Sequence, residues 1–162
     1  MEMLSGYAGP VEFLRECFDI AVATADPNLQ VKKHLPKLPS GRVLVVGAGK
    51  AAASMASSVE KEWGSKTDLS GIVITRYEHG LPLSFIECLE AGHPVPDEAG
   101  QEGAKKIFEL IKKLNEEDLL VVLVSGGGSS LLTLPVDGIS VSDIKKVTKD
   151  LLVSGAPITD IN

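Results

Sequence analysis

The pattern of apolar residues predicts strands that alternate with helices along most of the chain. Apolar runs of strand length, rich in β-branched residues, lie at Val43–Val46, Gly71–Thr75, Phe85–Ala91 and Leu119–Val124. The last is the most apolar and is predicted to be a central strand. The link between the second and third strands is too short for a crossover helix, so a bare loop is expected there. This order predicts an α/β fold: a Rossmann-like three-layer α/β/α domain with a mainly parallel sheet.

Helical spacing of apolar residues predicts the intervening elements. Helices are expected at residues 10–25, 51–63, 98–114 (capped by Asp97) and 140–154 (started by Ser140 and ended by Gly155), and another is expected from Pro157. The first helix is expected to pack against the domain body. The predicted core faces are Val11, Leu14, Phe18, Ala21, Val22 and Ala25 in the first helix, Ala104, Ile107, Phe108, Ile111 and Leu114 in the third, and Ile144, Val147 and Leu151 in the fourth.

Composition narrows the class of protein. A chain of 162 residues is long enough for one domain with a sizeable core. Its formal net charge of −6 argues against a nucleic-acid partner or an anionic membrane surface. Cys17 and Cys88 have no metal-ligand spacing and are expected to be reduced packing residues of a cytoplasmic protein. Met1–Gly9 does not have the pattern of a signal peptide, and no apolar run reaches membrane-spanning length.

Four loops are predicted to meet at the carboxyl edge of the sheet, where open α/β sheets bind ligands: residues 47–50, 76–80, 92–97 and 125–130. The first is G-A-G-K, in which Gly47 and Gly49 give a tight turn before a helix and Lys50 adds a positive charge. Free N–H groups are expected at that helix start, so the pattern favours a phosphate or carboxylate ligand.

Taken alone, G-A-G-K-A-A matches the dinucleotide fingerprint G-x-G-x-x-A. NAD is disfavoured, because the second strand ends in Thr75 and Arg76 rather than in the acidic residue that holds a ribose. Arg76 leaves NADP open.

The last loop, S-G-G-G-S-S, is the second candidate for anion binding. Gly126, Gly127 and Gly128 can expose successive N–H groups, and the hydroxyls of Ser125, Ser129 and Ser130 add donors, which suits phosphate oxygens. His79 and His93 are predicted at the same edge, and Pro94 and Pro96 are expected to make the chain around His93 rigid; either histidine can equally be a solvated loop residue. Asp97 is interpreted as a helix cap, and neither a catalytic triad nor a metal cluster is evident.

Together these motifs resemble the glycerate 2-kinase family with a second MOFRL domain, also labelled hydroxypyruvate reductase. The segments that carry the resemblance span the chain in order: V-V-G-A-G-K-A-A, V-I-T-R-Y-x-H-G, E-A-G-H-P-V-P-D-E-A-G, V-S-G-G-G-S-S-L-L and L-L-x-S-G-A-x-I-x-D-I-N. The resemblance implies phosphorylation of D-glycerate to 2-phosphoglycerate with ATP and Mg²⁺, in a cleft between two domains. It also implies that Lys50 is the active-site lysine and that Ser125–Ser130 is a phosphate or substrate loop.

Two departures from the family pattern affect these expectations. Glu78 stands where the resemblance predicts a glycine, and the chain ends at Asn162, before the second domain and an expected catalytic arginine. Residues 1–162 are therefore expected to be an incomplete first domain that is inactive alone. Which loop holds ATP stays open, as does a homodimer. Three alternatives also stay open: an NAD(P)H-dependent hydroxypyruvate reductase, a sugar-phosphate-binding or isomerase-like module, and a non-catalytic interaction domain.

Overall fold

The fold is a four-stranded sheet between helices. The computed structural model describes residues 8–161, and within them every strand of the sheet is parallel to its neighbours. The strand order is β3-β2-β1-β4. The strands are β1 (Val43–Ala48), β2 (Leu69–Arg76), β3 (Ile86–Ala91) and β4 (Leu119–Val124). The predicted strands and the bare β2–β3 loop are confirmed, but β4 lies at an edge of this sheet, so the prediction that it is central is wrong.

Seven helices are found among residues 8–161. They are α1 (Pro10–Thr24), α2 (Pro27–His34), α3 (Ala52–Trp63), α4 (Glu98–Ile111), α5 (Gly128–Leu131), α6 (Val141–Ser154) and α7 (Ile158–Ile161). The sequence did not predict α2, because Asp26-Pro27 was interpreted only as the end of a helix. The same pair also starts one, since the Asp26 carboxylate accepts the Asn28 N–H.

Two apolar clusters cover the two faces of the sheet and make the domain three-layered. On one face α3 packs Ala56, Val59 and Trp63 against the sheet; on the other face Ile107 of α4 and Leu131 of α5 do so. The confirmed β1 pattern explains this arrangement, because all six of its residues are buried, with Val43 and Val45 in one cluster and Leu44, Val46 and Ala48 in the other.

The strand order places a topological switch point between β1 and β4. From β1 the chain proceeds through α3 to β2 and then to β3; from β3 it returns through α4, on the opposite face, to β4 beside β1. Connections that leave a sheet in opposite directions open a crevice at the carboxyl ends of the two adjacent strands. The loops after β1 and β4 therefore border the expected ligand position.

The packing predicted for several helical faces is wrong. No residue of α1 is buried, Phe18 is 67% exposed and Cys17 is exposed, so this helix does not pack against the described body of the domain. Phe108 is also exposed and lies under the Lys112 ammonium, 4.5 Å from the ring centroid. Val147 points to solvent. An amphipathic pattern identifies which face is apolar, but what covers that face depends on tertiary packing.

β4 likewise exposes one apolar side, with Val124 69% exposed, because α4 covers the neighbouring strands rather than this edge. Cys88 is half-buried against the α3-side core, as expected of a packing residue. No helix within residues 8–161 has the length and apolar character needed to cross a membrane.

Candidate functional site

The loops after β1 and β4 form one hydrogen-bonded unit at the switch point. The Lys50 N–H donates to the Gly126 carbonyl at 2.9 Å, and the Ala51 N–H donates to Ser125 Oγ at 3.0 Å. In return, the Ser125 N–H donates to the Ala48 carbonyl at 3.2 Å. The structure thus brings together the two segments that the sequence singled out.

The two glycines of the first motif have different structural roles. Gly49 has a φ of +139°, and a Cβ on it would lie 2.1 Å from Ser125 Oγ, so only glycine allows the two loops to approach. Gly47 lies inside β1 rather than in the turn, and a Cβ there would lie 2.2 Å from the Leu123 carbonyl oxygen of β4. It permits close strand packing and is not part of the loop, contrary to the predicted turn.

The backbone of the first loop offers fewer donors than the sequence suggested. The N–H groups of Gly49, Lys50, Ala51 and Ala52 all donate within the protein. The expectation that these amides are free for an anion is therefore wrong. They fix the loop, and what the loop presents to a ligand is the Lys50 side chain.

The second loop keeps its donors available. Within residues 8–161, no backbone N–H from Gly126 to Ser130 donates a hydrogen bond. Gly127 has a φ of +89°, a left-handed conformation that turns successive amides toward the same side. The Ser130 hydroxyl donates to the Gly127 carbonyl at 3.1 Å, whereas no partner is found for the Ser129 hydroxyl in the described chain. We call residues 126–130 the amide cradle.

Lys50 places a positive charge beside this cradle. A Cβ built on Gly126 would lie 3.6 Å from Lys50 Cε and 4.0 Å from its Nζ, so the side chain extends over Gly126. The ammonium forms no hydrogen bond or ion pair with any residue that the structure describes. An uncompensated cation next to unpaired amides is an arrangement that binds phosphate or carboxylate.

His93 also lies against the cradle. Its imidazole is so close to Gly127 that a Cβ there would lie 2.6 Å from both Nε2 and Cδ2. Burial and the positive charges of Lys50 and Arg76 lower the pKa of His93, so the neutral form of the imidazole predominates at pH 7. His79 is exposed and does not line the cavity beside the cradle.

A cavity of about 660 Å³ opens beside the cradle. Lys50, His93, Gly127, Ser129 and Ser130 line its polar end. Side chains of α6 and α7 form an apolar wall that the sequence did not predict: Ile144, Leu152, Ile158 and Ile161. The wall could not be read from the helical pattern, because α6 presents residues 144, 148 and 152 to the cavity rather than the expected face with Val147.

Asp97 connects the histidine turn to its neighbours. The predicted cap is confirmed, because one carboxylate oxygen accepts the Gly100 N–H at 3.1 Å. The other oxygen accepts the Tyr77 hydroxyl at 2.7 Å. Partial burial raises the pKa of Asp97, but hydrogen bonds from the Gly92 N–H, the Tyr77 hydroxyl and the Gly100 N–H outweigh it and hold the pKa below its usual value. The sequence pattern gave no sign of the tyrosine partner.

Glu78, in the same loop as Tyr77, has a φ of +66°. This left-handed conformation explains why the resemblance predicts a glycine here: a residue with a Cβ adopts it at a cost of about 1 kcal/mol. The loop nevertheless closes, with the His79 N–H donating to the Arg76 carbonyl at 3.1 Å.

The carboxylates of the described chain do not suit a protein-bound Mg²⁺. No group of three or more His, Cys, Asp or Glu side chains able to hold a metal occurs within residues 8–161. Asp97, which ends the turn that carries His93, already accepts a hydrogen bond on each of its two carboxylate oxygens. Mg²⁺ needs oxygen ligands in near-octahedral geometry, commonly one or two carboxylates with substrate phosphates, and the described residues do not form such a set.

Comparison with known proteins identifies the family of this chain. Residues 13–162 match the family described as Domain of unknown function (DUF4147). The chain is 51% identical over 151 residues to a protein of Agrobacterium vitis named "Putative hydroxypyruvate reductase", covering 93% of this chain and 34% of that protein. It is 46% identical over 137 residues to the D-glycerate 2-kinase of Thermotoga maritima, covering 84% of this chain and 33% of the relative.

Solved structures show the same fold. The crystal structure of glycerate kinase from Thermotoga maritima superposes with a TM-score of 0.77 at 43% identity, over 90% of this chain and 35% of that one. A protein from Pyrococcus horikoshii gives a TM-score of 0.74 at 36% identity, over 91% and 37%. The chain thus spans about a third of the length of the relatives it matches. The resemblance to glycerate 2-kinases is confirmed, and the chain belongs to the DUF4147 family.

Proposed function

We propose that this chain is the first-domain part of an ATP-dependent D-glycerate 2-kinase, which transfers a phosphoryl group to the 2-hydroxyl of D-glycerate. The observation that carries the proposal is the amide cradle of residues 126–130 next to the unpaired Lys50 ammonium at the β1–β4 switch point. Phosphoryl transfer depends mainly on positioning and charge stabilisation, and this arrangement suits both. The names of the Thermotoga maritima and Pyrococcus horikoshii relatives, D-glycerate 2-kinase and glycerate 2-kinase, support the same reaction.

In the proposed mechanism the cradle amides donate to phosphate oxygens, and Lys50 offsets negative charge on the transferring group or on the glycerate carboxylate. The neutral His93 imidazole can donate a hydrogen bond through one ring nitrogen or accept one at the other. ATP supplies the phosphoryl group when it is bound. Mg²⁺ would bind together with the nucleotide.

The geometry favours a kinase over a dinucleotide-dependent reductase. In a dinucleotide site, free amides of the first glycine loop hold the pyrophosphate. Here the N–H groups of Gly49, Lys50, Ala51 and Ala52 are used within the protein. The reductase stays in the test because two Agrobacterium vitis relatives carry that name.

The test uses the protein that the gene encodes in full, with D-glycerate, ATP and Mg²⁺, followed by ADP release and NMR identification of the product. A parallel reaction contains hydroxypyruvate and NADPH. Formation of 2-phosphoglycerate is expected; NADPH oxidation without ADP release would contradict the kinase. Tight binding of hexose phosphates with no effect of ATP would instead indicate a sugar-phosphate module. The absence of kinase activity, reductase activity and hexose-phosphate binding would favour an interaction domain.

The same assay on residues 1–162 is expected to give no turnover. The proposed location of the protein is the cytoplasm.

Lys50 is the first residue to change. Lys50→Met keeps the aliphatic stem and removes the charge, so kcat is expected to fall on the order of 10²- to 10³-fold while the fold is retained. Lys66→Met is the matched control, because Lys66 forms an exposed ion pair with Glu62 at 2.9 Å, away from the cavity. Equal activity of the two variants would remove Lys50 from the mechanism.

A further inference from the structure

Tyr77 stands out as a residue whose hydroxyl is used although its ring is not needed for the core. It follows β2 directly, is 51% exposed and does not line the cavity. Its hydroxyl nevertheless donates to Asp97 Oδ2 at 2.7 Å, and this hydrogen bond raises the pKa of the tyrosine. Bonds from a hydroxyl to an ionised carboxylate are short and about twice as strong as neutral ones. The bond joins the loop after β2 to the residue that ends the 92–97 turn, and it does so from an exposed ring.

The Asp97 carboxylate joins two segments. Through Gly100 it caps the start of α4, directly after the 92–97 turn. Through Tyr77 it is bonded to the loop after β2. Since the Gly100 bond lies within one continuous stretch of chain, the tyrosine bond is the one of these two that ties the end of the turn to the neighbouring loop.

The turn carries His93, and the position of the imidazole depends on it. The ring touches Gly127 of the amide cradle, and it forms no hydrogen bond with another residue of the described chain. A displacement of the turn therefore displaces the ring relative to the cradle. A shift of about 1 Å at such a position is enough to lower a reaction rate markedly.

We propose that Tyr77 is a positioning residue: through Asp97 it fixes the 92–97 turn so that His93 stays against Gly127 beside the amide cradle. Tyr77 touches neither the cavity nor the cradle and acts through His93. This inference rests on the proposed kinase for its activity test, but its structural part concerns the described residues alone.

The activity test is a double-mutant cycle in the protein that the gene encodes in full. Tyr77→Phe removes only the hydroxyl and is expected to lower kcat about tenfold, with a change in KM below about threefold. In the His93→Ala background the same change is expected to alter kcat less than about twofold, because the residue through which it acts is gone. Equal effects in both backgrounds would overturn the proposal, since a general loss of stability acts whether or not His93 is present.

Glu60→Gln is the matched control for a lost exposed hydrogen-bond network. The Glu60 carboxylate accepts the N–H groups of Ser84, Phe85 and Ile86 at the amino end of β3, whereas the cradle follows the carboxyl end of β4. Its loss is expected to leave kcat and KM unchanged.

A second measurement separates this inference from the proposed function. The imidazole resonances of His93 in residues 1–162 are expected to shift in Tyr77→Phe and to stay in place in Glu60→Gln. Unmoved resonances in Tyr77→Phe would overturn the positioning role even if the kinase assay succeeds. Shifted resonances would support it even if no ADP is released.

Discussion

Gly126 and Gly127 are adjacent glycines of the cradle, yet they tolerate a side chain differently. Gly127 has a positive φ, and its Cβ would meet His93 at 2.6 Å. Gly127→Ala is therefore expected to lower the free energy of unfolding by about 1 to 3 kcal/mol, and to weaken binding of inorganic phosphate or ATP by displacing the imidazole. Urea denaturation and titration calorimetry on residues 1–162 measure the two effects.

Gly126→Ala is the matched control, because its Cβ would meet Lys50 Cε at 3.6 Å, an ordinary van der Waals contact. The free energy of unfolding is expected to change by less than about 0.5 kcal/mol. If Gly126→Ala destabilised the protein as much as Gly127→Ala, the left-handed turn would not be the reason that glycine is needed.

At this scale the sequence identified the candidate residues but not how their backbone groups are used. Both glycine motifs predicted free backbone N–H groups. The structure shows that the two loops differ, because Ser125 Oγ and the Gly126 carbonyl accept the Ala51 and Lys50 N–H groups of the first loop. Local patterns carry no information about a partner 74 residues away. Glu78 is the opposite case, because its mismatch with the expected glycine was visible in the sequence and reappears as a positive φ.

One serine hydroxyl contributes a side-chain bond to the connection between the start of α3 and the loop after β4. Ser125 Oγ accepts the Ala51 N–H at the start of α3, so Ser125→Ala leaves a part-buried donor without its partner. The free energy of unfolding is expected to fall by about 1 to 2 kcal/mol, measured by urea denaturation.

Ser129→Ala should separate binding from stability. Its hydroxyl has no partner in the described chain and lines the cavity, so the free energy of unfolding should change by less than about 0.5 kcal/mol. Affinity for phosphate or ATP is expected to fall about two- to tenfold. A stability loss equal to that of Ser125→Ala would contradict this division of roles.

Elements were predictable where a local pattern determines them. The strand β1, the Asp97 cap of α4 and the Ser140–Asp143 capping box of α6 are confirmed. The predictions that were wrong concern the contacts between elements. The apolar face of α1 was expected to be covered, and β4 was expected to lie inside the sheet, but both expose apolar side chains such as Phe18 and Val124. Hydrophobic patterns specify that a face is apolar, whereas strand order and helix docking decide what it meets.

Across the whole molecule, the arrangement that creates the candidate site is the strand order, which no local motif contains. Parallel strands and carboxyl-edge loops followed from the alternation of elements, but the position of β4 beside β1 did not. That neighbourhood brings Gly49 within reach of Ser125 and Lys50 over Gly126. The candidate site therefore depends on the sheet topology, which brings together two motifs that are each weak signals alone.

The stability of the whole molecule is expected to depend on pH, first through His93 at the candidate site. The pKa of His93 is lowered in the folded state by burial, Lys50 and Arg76, so the unfolded chain binds a proton more readily. Stability is then expected to rise with pH through the ordinary histidine range near 6.5. His93→Gln should remove this slope between about pH 5 and 7 in urea unfolding, whereas His79→Gln, at an exposed loop position, should retain it.

A second slope is expected at lower pH. Hydrogen bonds from the Asn115 N–H and from Arg42 outweigh burial and lower the pKa of Asp118, which forms an ion pair with Arg42 at 3.1 Å. A lowered folded-state pKa means that its stabilisation is fully present above the unfolded value near 3.9 and is lost as pH falls through the folded value. Asp118→Asn should therefore lower stability at pH 7 and match the parent chain near pH 2. A constant difference between the two at every pH would show that Asp118 acts through its hydrogen bonds and not through its charge. Because His93 and Asp118 act in separate pH ranges, the double variant should lose both slopes additively.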